Sequence, residues 1–264
     1  MLYYPQLSSG SIAQFPVTRR AVTRTVTNEL LGGDTIRMAD SGADLVHWQL
    51  QYSSLSDDEW SSLEQLFEAA EGQLNTFVFL DPTDNLLMWS EDWTQPVWSA
   101  DPMLQLTGGL QDPLGGSGAT TITNTGQANQ RILQATAGPS WYQYCFSVYL
   151  SSAAPTTIEL VLTSNGVDSL LGINTTSVWR RFTTSATLAT QADGISFGLQ
   201  LAPGIAITAF GAQAEAQPAA SVYKKNTDNG GIYPATRFNS DSLLRSTDAI
   251  NHNSCTLALV SALS

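Results

Sequence analysis

Nucleophiles, bases and metal ligands are scarce in this chain of 264 residues. The two histidines, His47 and His252, have no companion ligands nearby in sequence, and Cys145 and Cys255 sit in unrelated contexts. A disulfide framework, a cysteine-based zinc site and a histidine-dependent triad therefore lack their raw material. The run Gly115-Gly116-Ser117-Gly118 fails the Gly-x-Ser-x-Gly spacing of a nucleophile elbow and reads as a flexible turn. A glycosidase needs two carboxylates facing one cleft. Glu91, Asp92, Asp101, Asp112, Glu159, Asp168, Asp193 and Glu215 are the candidates between residues 85 and 225, and no two form a recognisable pair. The expectation is a non-enzyme with neither metal nor cofactor.

Sugar recognition asks for less: an exposed aromatic ring and polar groups beside it. In the segment 141–150, alternation sets Tyr142, Tyr144, Phe146, Val148 and Leu150 on one face, which reads as core. Trp141 and Tyr149 fall on the other face and are the candidate carbohydrate-binding anchors. Charge narrows the partners further. The net charge is −12, and residues 1–84 hold four Arg against twelve acids, which accounts for −8 of it. Such a surface repels phosphate backbones, so nucleic acid is excluded as a partner. No run approaches the ~18 apolar residues of a membrane span, and Met1-Leu2-Tyr3-Tyr4 lacks the basic start of a signal peptide.

The elements that must carry these residues are mostly strands. The β-branched stretch 18–26 ends before the turn signal Leu31-Gly32-Gly33-Asp34, and residues 35–39 and 44–52 follow as further strands. In the last of these Val46, Trp48, Leu50 and Tyr52 share one face, with His47 opposite. One helix stands out. Ser56 and Glu59 form a capping box, Asp57-Asp58-Glu59 complement the helix dipole, and Leu55 is placed to staple against Trp60. Trp60, Leu63, Phe67 and Ala70 recur at helical spacing and should pack on the Val46/Trp48/Leu50 face, before Gly72 stops the helix. Residues 74–80 then read as a strand. Trp89, Trp93 and Trp98 read as core. Beyond a glycine-rich turn region, strands at 119–124, 130–135, 141–151, 156–164, 179–184, 194–201 and 205–213 describe a sandwich. Two more, at 242–245 and 255–260, come after that pattern is complete.

Two resemblances emerge from these motifs. Residues 55–84, with Leu55-Ser56-Asp57-Asp58-Glu59 and then Gly72-Gln73-Leu74-Asn75-Thr76-Phe77-Val78-Phe79-Leu80-Asp81, resemble the N-terminal domain of phage distal tail and baseplate hub proteins. Phe15-Pro16 and the β-branched stretch after it also fit. Asn85-Leu86-Leu87 with Ser90-Glu91, Trp93 and Trp98, the strand Tyr144–Leu150, Trp179-Arg180-Arg181, and Gly211-Ala212-Gln213-Ala214-Glu215 with Tyr223 resemble the carbohydrate-binding-like jelly rolls of many phage tail proteins. In that pattern Trp93 stands where Phe is common, and Ala214 where Val is usual.

The fold class expected is mainly β: a β-sandwich tail-hub-like domain with one α-helix, plus an inserted jelly-roll β-sandwich. Residues 1–84 form the first domain, completed by 237–264, and residues 85–236 form the jelly roll. What the resemblance implies is a structural virion protein at the tail tip or baseplate. It would pair with itself in a ring and with tail tube and tail-tip proteins, and its jelly roll would reach a host cell-surface glycan. It would be made in the host cytoplasm, without a signal peptide or membrane insertion. The alternative is a non-catalytic carbohydrate-binding adhesion protein with no hub role.

Overall fold

The computed structural model describes residues 1–263, which form two compact units. The first part of the chain supplies β1 (Val17–Val22), β2 (Thr25–Glu29), β3 (Thr35–Ala39), β4 (Leu45–Leu55), α1 (Asp57–Ala69) and β5 (Phe77–Leu80). The middle supplies β6 (Trp98–Ala100), β7 (Leu104–Leu110), β8 (Ala119–Asn124), β9 (Gln130–Pro139) and β10 (Gln143–Ser151). It continues with β11 (Thr156–Ser164), β12 (Val167–Thr175), β13 (Arg180–Thr187), β14 (Asp193–Leu201) and β15 (Ala206–Glu215). The chain closes with β16 (Ile232–Phe238), β17 (Ser246–Ala249) and β18 (His252–Ala262).

The first unit joins residues 1–7 and 13–79 to residues 233–264. Its main sheet runs β1-β4-β18-β16-β5, with β17 paired to β18. The alternation in β4 sets Val46, Trp48, Leu50 and Tyr52 inward, each at most 3% exposed. In register beside them, Leu257 pairs with Leu50 and Leu259 with Trp48. Rings cross-brace this face: Trp48 meets Phe79 at 4.9 Å and Tyr233 at 4.6 Å, and Phe77 meets Phe238 at 5.0 Å. His47 lies on the opposite face, in register with Arg20 and Val260.

Helix α1 begins as its residues dictate. Ser56 Oγ accepts from the Glu59 amide at 3.2 Å, and Glu59 accepts from the Ser56 amide at 2.9 Å. The C-terminal segment completes this end, where Asn253 Nδ2 and Arg245 both donate to Asp57 Oδ1. The inward residues of α1 are Trp60, Leu63 and Leu66, not Phe67. Phe67 is half-buried and packs edge-on against Phe238 at 5.1 Å. A step of 100° per residue leaves positions 66 and 67 on either side of the stripe's centre, and Phe67 reaches the buried Phe238 from there while staying half-exposed.

Three other expectations need correction. The stretch 18–26 is two strands, broken at Thr23-Arg24, and its second half pairs with β3 as a separate hairpin. The strand expected at 74–80 begins at Phe77, because Leu74 and Asn75 close hydrogen-bonded turns back to Glu71 and Ala70. Residues 242–245 form no strand; pairing with β18 starts at Ser246.

The second unit comprises residues 80–232 with residues 8–12. It is a jelly-roll sandwich of two antiparallel five-stranded sheets, β13-β10-β15-β8-β7 and β12-β11-β14-β9-β6. Tyr144, Phe146, Val148 and Leu150 of β10 are fully buried between them, and Phe197 of the facing sheet lies 5.4 Å from Tyr144 and 6.0 Å from Phe146. Strands β6, β7 and β12 add to those expected. The unit starts before Asn85 and ends before residue 236, because its entering and leaving chains are hydrogen-bonded together. The Asp81 amide donates to the Gly231 carbonyl at 2.8 Å, and the Gly231 amide to the Asn85 carbonyl at 2.7 Å. Residues 8–12 join it through Gly10, which leaves no room for a side chain beside Gln143 and Pro218.

Candidate functional site

The opening and closing motifs of the jelly roll meet in one buried polar knot. Asn85 is fully buried and uses both donors and its acceptor oxygen. Its Nδ2 donates to the carbonyls of Ala212 and Lys224, and its Oδ1 accepts from the amides of Leu87 and Ala214 at 3.0 Å. Glu215, 4% exposed, accepts from the Ser221 amide and hydroxyl and from Lys224 Nζ at 3.1 Å. Burial pushes its carboxyl up, but the Ser221 hydroxyl, the Gln213 side chain, the Ser221 amide and Lys224 more than reverse this and hold it below its usual range. Arg181 donates to Ser221 O and to the buried Ser147 hydroxyl. This network binds the segment 216–226 across β10 and β15.

That binding builds a cleft of about 470 Å³ at the β7–β8 side of the sandwich. Segments 89–91 and 225–227 lie side by side, with the amides of Trp89 and Ser90 donating to the carbonyls of Thr227 and Asn226. Trp89 is half-buried and lines the cleft with Glu91, Asp92 and Lys225, a correction to its expected place in the core; Trp93 and Trp98 do lie there, stacked at 4.0 Å. The Glu91 carboxylate, 16% exposed, pairs with Lys225 Nζ and accepts from the Tyr223 hydroxyl at 3.2 Å. Tyr223 is in turn fixed by Ser90 Oγ at 2.9 Å. Gly108, Gly109 and Thr120 of β7 and β8 also line it, together with the glycine-rich turn at Ser117 and Gly118.

That glycine-rich turn is not loose. The Asp112 carboxylate gathers the amides of Leu114, Gly116 and Gly118 at 2.8–3.0 Å. Burial raises its pKa, but the amides of Gly118, Gly116, Leu114 and Gly115 outweigh it, so the group stays ionised to lower pH than usual. A side chain at Gly118 would press within 3.1–3.4 Å of Phe210 and Glu91. Thus glycine at 118 lets the turn close on the Glu91 carboxylate.

The two sequence-predicted anchors are not brought together. Trp141, 38% exposed, precedes β10 and stands edge-on to Tyr142 at 5.9 Å. A turn and then the strand from Gln143 to Tyr149, roughly 20 Å of extended chain, separate it from Tyr149. Tyr149 is half-buried behind the cleft, 6.1 Å from both Phe210 and Tyr223, with the Arg181 guanidinium 5.7 Å from its ring centre. It therefore supports Tyr223, which supports Glu91. Sequence reasoning missed Lys225 and Asn226 and gave Asp112 only as an unpaired carboxylate; Ser90-Glu91 and Tyr223, already in the motif, pointed toward this place. Cys145 and Cys255 are buried and unbridged, and burial pushes both thiols up to about 11, far from reactive.

No protein-family model matches the sequence, and no curated protein matches it. Solved structures are similar to about half of the chain. One is the C-terminal family 22 carbohydrate-binding module of Clostridium thermocellum Xyn10B, with 17% identity over 55% of this chain and 99% of that one, at a TM-score of 0.42. Another is the CBM22-1 xylan-binding domain of Paenibacillus barcinonensis Xyn10C, with 15% identity over 52% and 97% at a TM-score of 0.39. A third is the enzymatically active domain of tailspike protein 4 of bacteriophage CBA120, with 11% identity and a TM-score of 0.39. Here 52% of this chain spans only 22% of that one. These likenesses concern fold; the chemistry rests on the residues above.

Proposed function

We propose that the protein is a non-catalytic structural component of a phage or phage-like tail tip, a ring-forming hub at the end of the tail tube whose jelly roll contacts host-surface glycans. The observation that carries this reading is the hairpin β2–β3. Its register places Val26 opposite Met38 and Asn28 opposite Ile36 on one face, while Thr27, Arg37, Glu29 and Thr35 occupy the other. Ile36, Met38, Leu30 and Leu31 are 45%, 49%, 47% and 111% exposed. A two-stranded hairpin is marginal in water alone, and an exposed apolar face marks an interface. Repeated head to tail about a rotation axis, such a contact closes a ring. The motif resemblance supplies the tail as its setting, with tube and tail-tip proteins as neighbours and the virion as its location.

A second reading, a carbohydrate-binding adhesion protein without a hub role, is favoured by the cleft, which lies wholly within the jelly-roll unit. Analytical ultracentrifugation with electron microscopy separates the two. A ring that Ile36→Asp with Met38→Asp dissolves supports the hub. A protein that stays monomeric at high concentration overturns it.

A further inference from the structure

The cleft beside Trp89 can be matched to a ligand by elimination. Its volume of about 470 Å³ lies in the range of small-molecule sites. Two carboxylates, Glu91 and Asp92, face one ammonium, Lys225, on a chain of net charge −12, so anionic ligands are repelled. An apolar ligand would strip water from the Glu91–Lys225 pair, which already holds Tyr223, and give nothing polar in return. Among the described residues no group of three or more His, Cys, Asp or Glu could hold a metal ion. Asp92 is engaged internally, accepting from Thr94 and Gln95.

We infer that this cleft binds a neutral, hydroxyl-rich saccharide of about one or two pyranose units. The Glu91–Lys225 pair reads two adjacent hydroxyls, and Trp89 forms the apolar wall. A vicinal diol is the complement of that pair: one hydroxyl donates to the carboxylate while its neighbour accepts from the ammonium, which has N–H groups to spare. Glu91 is held from behind by Tyr223 and beside Gly118 by the turn that Asp112 ties down, so little ordering is needed on binding. The assignment rests on the glycan-contact part of the reading above and moves the site from Trp141 and Tyr149 to the cleft that Tyr149 backs.

The test uses the full chain on a panel of neutral oligosaccharides of glucose, galactose and mannose and the corresponding uronates, as single copies and on a multivalent display. Neutral members should bind and uronates should not. Lys225→Ala and Trp89→Ala should each weaken binding at least about tenfold, while Trp141→Ala stays within about twofold, all with unchanged thermal midpoints. Binding that survives both cleft substitutions but is lost in Trp141→Ala overturns the assignment and leaves the glycan role standing. Silence across the neutral panel in both formats overturns it as well, without touching the ring, which microscopy reads independently.

Discussion

Replacing Asn85 with Ala removes the centre of the polar knot, and the structure says how much should be lost. The amides of Leu87 and Ala214 give up their side-chain acceptor in a site with no access to water, since Asn85 is fully buried. Each stranded donor costs about 1–3 kcal/mol, so the pair amounts to roughly 2–6 kcal/mol, before the carbonyls of Ala212 and Lys224 are counted. A typical domain has only about 5–15 kcal/mol in total. Asn85→Asp keeps the shape but turns two donors into acceptors aimed at those carbonyls, and should do no better. Urea unfolding followed by tryptophan fluorescence reads the effect as a lower midpoint at unchanged slope. A loss under about 1 kcal/mol for Asn85→Ala would refute the accounting, because it would mean that both amides find other partners at no cost.

The helix gives an ordering: Leu66→Ala should destabilise by about 2–5 kcal/mol and Ser56→Ala by about 1 kcal/mol, with half-buried Phe67→Ala below the 3–5 kcal/mol of a fully buried ring, all by urea melts. Glu215 should make the jelly roll acid-labile. Its folded pKa lies below that of an ordinary glutamate, so its contribution is present above the ordinary value and is lost as pH falls through the folded one; Glu215→Gln should flatten this limb of a stability–pH curve.

Much of this fold could be read from local signals. The capping box, the β4 alternation and the buried stripe of β10 each depend on neighbours within a few residues, which sequence displays directly. Strand β12 escaped because Leu170 and Leu171 are both exposed, at 42% and 41%, so no alternation marks it. Its turn, Asn165-Gly166 with φ of +47° and +77°, carried the hairpin signal that the pattern lacked. Of the hairpin β2–β3, residues 35–39 are legible as a strand, but β2 runs together with β1, because the β-branched run shows no sign of the break at Thr23-Arg24. The cleft was beyond spacing arguments: Trp89, Gly108, Gly118 and Lys225 are joined only by the fold, and Tyr149, placed on an outward face by alternation, is covered by a segment some seventy residues away.

The placement of β18 between β4 and β16 has a consequence during synthesis. The first unit cannot close its sheet until the ribosome has delivered the ~150 residues between Leu80 and Ile232, on the order of 10–30 s at ~5–20 residues per second. Throughout that interval β4 offers an unpaired edge of the kind that recruits foreign strands. The jelly roll then eases the closure. Once folded, it ties Asp81 to Gly231 and so replaces a long flexible tether by a few residues, which lowers the entropic cost of closing the remaining gap by about 3 kcal/mol. A mutation that keeps the jelly roll from folding would therefore slow and weaken the other unit's sheet through the chain alone.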